Sequence, residues 1–127
     1  MESKISIKLS ARDRSVIYMS LSEYGGGSAS AMRRISGHAA QTISEVDRLY
    51  QDFWDSEQSV LSLSESQWRV IYNSINATVC ALGPFELETC TGCEPIDMLE
   101  TNLTIASKVW GAYGGVRWSD YYKVVRV

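Results

Sequence analysis

The stretch from Leu63 to Pro84 constrains the fold more than any other part of this chain. Ser64 and Gln67 stand three residues apart. At that spacing a serine hydroxyl can cap a helix while a glutamine side chain reaches back to the cap's own N–H. Leu63 and Trp68 flank the pair, placed to staple the helix start. Trp68, Ile71, Tyr72, Ile75, Val79 and Leu82 then recur at helical intervals and form one apolar stripe. Gly83 suits the residue after a helix end, and Pro84 forbids continuation. A helix with one apolar face needs a core to pack on, and 127 residues are enough for one, in a single domain over 1–127.

The other elements are read around that helix. Lys4 to Ser10 alternates polar and apolar residues, with Ile5, Ile7 and Leu9 on one side, the period of a half-buried strand. Ser15 to Ser22 is β-prone, with Ile17, Met19 and Leu21 on one face, so the two runs predict a hairpin. Gly25 to Gly27 opens a loop or hinge without the lysine and hydroxyl of a nucleotide-phosphate loop. Ala29 to Gly37 is compatible with a strand or a helical turn. Thr42 and Glu45 have capping-box spacing, and Ile43, Val46, Leu49, Tyr50, Phe53 and Trp54 predict a helix ending near Asp55. Val60 to Leu63 is a brief strand or an extended lead-in. Pro84 opens a short turn that Gly92 closes, and Pro95 starts a helix with Ile96, Leu99, Leu103 and Ala106 as its buried stripe. Val116 to Val127 predicts a final strand or hairpin. The reading finds no internal repeat and no domain boundary.

Composition is that of an ordinary globular chain, 45% hydrophobic and 21% charged. The first residues lack the basic and apolar regions of a secretory signal, which predicts a cytoplasmic protein. Three cysteines are an odd count and too few for a secreted disulfide scaffold of this length. The net charge of −3 conceals a division: residues 42–100 carry −9, between flanks of +3 each. An acidic field attracts basic partners and repels phosphate backbones, although a charged helix face can also be merely solvated.

Cys90-Thr91-Gly92-Cys93 raises three readings: a redox pair, half of a metal site, or a corner between helices. Redox chemistry needs a depressed thiol pKa, and Glu86, Glu88 and Glu94 act against that. Zinc needs four ligands, which Cys80, Cys90, Cys93 and the single histidine, His38, would just supply. The corner reading needs only the glycine and proline stops on either side. No nucleophile elbow or triad signature accompanies His38. Tyr24, Trp54, Trp110, Tyr113, Trp118, Tyr121 and Tyr122 exceed what one small core needs, and Trp and Tyr are favoured interface anchors. An RNA-binding reading would want these interleaved with a basic face, and only Arg117 to Arg126 offers a short one.

Residues 61–106 resemble a pattern in small bacterial immunity proteins, the cytoplasmic partners of polymorphic or contact-dependent growth inhibition toxins. The residues concerned are Leu63-Ser64, the helix end Ile75-Asn76-Ala77-Thr78-Val79-Cys80, the turn Phe85-Glu86-Leu87-Glu88-Thr89 with Gly92, and the following helix. Ala77 stands where the pattern has an acidic residue, and Thr91 where it has an apolar one. The resemblance implies a non-enzymatic protein that binds and blocks a cognate toxin domain, commonly a nuclease. It is structural and assigns no catalytic residue.

The sequence therefore predicts an α+β fold: a small, mainly antiparallel sheet from the N- and C-terminal segments, with about three helices packed on it. It predicts an immunity-type toxin inhibitor that needs no cofactor, metal, nucleic acid or membrane. Glu45, Asp47, Asp52, Asp55 and Glu57 would steer a basic protein partner, with Trp54 as anchor. The alternative is a small metal- or thiol-dependent module built on Cys90 and Cys93. A third reading is a homo-oligomer using the C-terminal strand as an edge.

Overall fold

Alternating apolar residues at Ile5 and Ile7 make the first strand, β1 (Lys4–Lys8), whose Lys4, Ser6 and Lys8 face outward. The computed structural model describes residues 3–25, 29–82 and 92–111. Its described elements run β1, α1 (Ala11–Ser22), a 3-10 turn (Glu23–Gly25), α2 (Ala29–Ser36), α3 (Ala40–Asp55), β2 (Val60–Ser64), α4 (Glu65–Ala81) and α5 (Pro95–Trp110). The class is α+β, mostly helical, with five α-helices among the described residues where about three are expected.

Two expectations about the sheet are corrected. Residues 15–22 are not a hairpin arm but the body of α1. The reason lies at Ser10: its Oγ accepts from the Asp13 N–H at 3.1 Å, and Asp13 Oδ2 accepts from the Ser10 N–H at 3.1 Å. This capping box starts a helix directly after the strand, and burial of Val16, Ile17 and Leu21 overrides the β preference of the run. The partner of β1 is therefore β2, from the middle of the chain, paired antiparallel with Ile7 opposite Leu61. The C-terminal strand expected over 116–127 lies outside the described residues, as does the turn over 84–91.

That register exposes an internal repeat that the sequence reading missed. Leu9, Ser10, Asp13, Val16, Ile17 and Tyr18 recur 54 positions later as Leu63, Ser64, Gln67, Val70, Ile71 and Tyr72. Ser64 and Gln67 form the same reciprocal capping box as Ser10 and Asp13. Ile7 and Leu61 are themselves 54 apart and lie opposite one another, so the pairing is its own image. An approximate two-fold axis therefore passes through this pair. It relates β1–α1 to β2–α4, and Leu9 N–H, bonded to Ser59 O at 2.7 Å, continues the ladder beyond β1. The last described helix of each half, α3 or α5, is 16 residues long, and each follows a positive-φ glycine, Gly37 or Gly92.

One hydrophobic cluster joins both halves, with Ile7, Val16, Ile17, Tyr50, Trp68, Ile71, Ile75 and Ile105 fully buried. Trp68 Nε1 donates to Ile5 O at 2.9 Å, so the largest core side chain also holds β1. The α4 stripe lies inside as expected. Of the expected α5 stripe only Ala106 is fully buried. Met98, Thr101, Asn102, Ile105 and Ala106 face the core, while Ile96 is 43% exposed. Polar partners set that rotation. Thr101 Oγ1 donates to Asp13 Oδ1 at 2.8 Å, and Asn102 Nδ2 donates to Asn76 Oδ1 at 2.8 Å. Helix α3 begins at Ala40 with Ala39 as its uncapped N-terminal residue, so the expected Thr42–Glu45 box is not used. No described helix is long and apolar enough to cross a membrane.

Candidate protein-binding face

Helix α3 packs Ile43, Val46, Tyr50 and Phe53 into the core, which turns its opposite side to solvent. Glu45, Asp52 and Asp55 are exposed on that side. Glu45 and Asp52 are seven residues apart and stack two turns along one line. Asp47 points elsewhere. It is half-buried and lines an open cleft of about 280 Å³ with Arg33, Tyr24 and Ser44. Glu45 borders a smaller cleft of about 210 Å³ between α3 and the start of α4. Arg48 is exposed between Glu45 and Asp52, with no ion pair to either among the described residues. The six candidate residues thus share one helix and its end, but their side chains fan around its exposed half.

Three of these positions are locally unfavourable. Asp52 and Asp55 occupy the last turn of α3, which has no basic residue, and the negative end of a helix disfavours carboxylates. Glu57, exposed just beyond, has φ 61°, a left-handed conformation that L residues other than glycine, asparagine and aspartate rarely adopt. The corresponding helix end in the second half places Gly111 at φ 67°, where no Cβ is strained.

Trp54 is half-buried beside these acids. Its ring centroid lies 4.5 Å from that of Tyr18, and the Arg14 guanidinium carbon sits 5.4 Å from the ring centre. Tyr50 OH donates to Arg14 O at 2.6 Å and ties α1 to α3 beneath the cluster. The sequence reading found Trp54 through its aromatic excess but missed Arg14 and Tyr18. Their spacing of four along α1 becomes visible only once that segment is known to be a helix.

The other chemical candidates fall differently. Cys90 lies outside the described residues, so the geometry of the cysteine pair does too. Cys93 is buried, and burial pushes the Cys80 thiol pKa up, away from the thiolate form. His38 Nε2 lies 3.0 Å from Asn73 Nδ2. Burial, with the nearby Arg69 charge, lowers its pKa and favours the neutral ring. Among the described residues no group of three or more His, Cys, Asp and Glu side chains is placed to hold a metal ion. Of the expected exposed aromatics, Tyr24 hydrogen-bonds Ser74 Oγ at 2.7 Å and Trp110 is half-buried; Tyr113, Trp118, Tyr121 and Tyr122 lie outside the described residues. No known protein family, curated protein or solved structure matches this chain.

Proposed function

We propose that this chain is an immunity-type protein that binds and neutralises a cognate toxin domain, a basic nuclease, by occluding its active site or substrate surface. It acts by docking, without catalysis of its own. The supporting observation is where the local penalties fall. Asp52 and Asp55 at a helix C-terminus and Glu57 in a left-handed conformation gather around the half-buried Trp54. Each costs folding stability, of order 0.3–1 kcal/mol for a carboxylate at that helix end and about 1–3 kcal/mol for strained backbone. A face that retains such residues is fitted to something other than its own fold. Residues 45–57 hold five acidic side chains and one basic, which complements a nucleic-acid-cleaving domain whose own surface is basic. The remaining support is the sequence resemblance over residues 61–106.

The test is binding of the whole chain to candidate basic toxin nuclease domains, followed by stopped flow. Association should slow by about tenfold or more between low and high salt, and Asp52→Asn with Asp55→Asn should remove most of that salt dependence. A salt-independent association rate, or no binding at all, overturns the reading.

A further inference from the structure

The two halves of the molecule each build an arginine–tyrosine–tryptophan cluster, and only one of them is closed. In the second half the Arg69 guanidinium carbon lies 5.1 Å from the Trp110 ring centre, and Tyr72 meets that ring edge-on at 5.2 Å. Glu65 completes the group: its Oε1 accepts from Arg69 Nη2 at 2.6 Å and from Trp110 Nε1 at 3.0 Å. Those two bonds, Trp110 first, hold the Glu65 carboxyl below its ordinary pKa, so the pair favours the charged form.

In the first half Arg14, Tyr18 and Trp54 form the comparable cluster; in the 54-residue register Tyr18 matches Tyr72, while the arginine is displaced by one position and the tryptophan by two. The first residue of α4 is Glu65; the first residue of α1 is Ala11. Ala11 and Arg14 are three apart and Glu65 and Arg69 four apart, spacings that both put side chains on one helix face. Among the described residues nothing replaces the missing carboxylate. Among these residues the Arg14 guanidinium has no ion pair, its buried Nε has no acceptor, and Trp54 Nε1 has none either. Ala11 is exposed and Arg14 and Trp54 are half-buried, so parts of both side chains reach the surface beside it.

We propose that Arg14 and Trp54 form a receptor for an aspartate or glutamate side chain presented by a protein partner, in the place that Glu65 fills in the other half. Arginine and tryptophan are interface hot-spot residues, and a carboxylate accepting from both makes charge-assisted hydrogen bonds. The neighbouring Asp52, Asp55 and Glu57 select against polyanions, which excludes a nucleic-acid backbone, but they tolerate one carboxylate set in a basic surface. The proposal holds for any protein partner and does not require that partner to be a toxin.

The test follows the indole N–H resonances of Trp54 and Trp110 in the full-length protein by NMR. The probes are acetyl-Gly-Glu-Gly-amide, its glutamine analogue and inorganic phosphate. The glutamate peptide should shift the Trp54 signal at least about fivefold more than the glutamine peptide does, as expected for an ionised acceptor. The Trp110 signal should stay still, because Glu65 already occupies its site. Ala11→Glu should move the Trp54 signal without any peptide and abolish the peptide response. Glu65→Gln should make Trp110 responsive. Arg14→Gln should abolish the Trp54 response while circular dichroism stays unchanged. Equal responses to the glutamate and glutamine peptides, a Trp54 signal unmoved by Ala11→Glu, or a stronger response to phosphate than to peptide overturns the proposal.

Discussion

The first and second halves of this molecule share a plan and differ in how completely each satisfies itself. Ser10 and Ser64 cap their helices alike, and Val16-Ile17 and Val70-Ile71 bury alike. Beyond the shared frame, the second half closes α5 on Gly111 and ties Trp110 to Glu65. The first half ends α3 on the strained Glu57 and leaves Arg14 and Trp54 without an acceptor among the described residues. On the proposed reading, the copy with unmet requirements is the one that would face a partner. Residues that serve the fold are satisfied within it, and those kept at a local cost serve something outside it.

The largest expected effect tests the shared frame. Ile17→Ala and Ile71→Ala remove equivalent, fully buried side chains, and each should cost about 2–5 kcal/mol in chemical denaturation. A cost below about 1 kcal/mol for either, well under the usual range for a filled core site, would break the equivalence. Next comes the one capping residue with a second task. Asp13 is buried and accepts from Ser10, Thr101 and Arg12, whereas among the described residues the Gln67 side chain bonds back to Ser64 alone. Asp13→Ala leaves the buried Thr101 hydroxyl unpaired and should cost about 1–3 kcal/mol, more than Gln67→Ala does.

Asp13 also gives the comparison a pH dependence. Burial alone would raise its pKa, but the bonds from Thr101, Arg12 and Ser10 outweigh it, and the pKa lies below that of an ordinary aspartate. The unfolded chain therefore binds this proton more readily. The contribution is present above about pH 4 and is lost as pH falls through the folded value. Denaturation midpoints measured from pH 6 down to pH 2 should lose that component in Asp13→Asn and keep it in Gln67→Glu. Smaller still, Ser10→Ala and Ser64→Ala should each cost about 1 kcal/mol, by loss of matched caps. The smallest effect has the opposite sign. Glu57→Gly should stabilise the protein by about 0.5–1 kcal/mol in thermal or chemical denaturation, because glycine carries no Cβ penalty at that φ. A loss of stability there would show that Glu57 serves the fold.

Local signals carried much of this fold. The alternation at Ile5 and Ile7, the Ser64–Gln67 box and Pro95 at a helix start all mark elements found in the structure. Residues 15–22 were misleading because Ile17, Met19 and Leu21 satisfy a strand period while Val16, Ile17 and Leu21 satisfy a helical one. Asp13 in the third helical position decided between them. The α5 stripe was misread because hydrophobicity cannot show that Thr101 and Asn102 have buried partners on α1 and α4. The acids of the candidate face were plain in composition. Their spread around α3, and the grouping of Trp54 with Arg14 and Tyr18, required α1 and α3 to be placed side by side.

By itself the sequence determined what lies within one turn of its cause: that Ser64 caps a helix, that Pro95 starts one, and that residues 42–100 carry the negative charge. These depend on neighbours three or four residues away, and those are written in order along the chain. The tertiary structure decided everything that joins residues fifty positions apart: the pairing of Ile7 with Leu61, the burial of Asp13 against Thr101, and the absence of a Glu65 equivalent beside Arg14. Such contacts depend on how faces meet in space, and many arrangements of the same local elements would satisfy the same local rules.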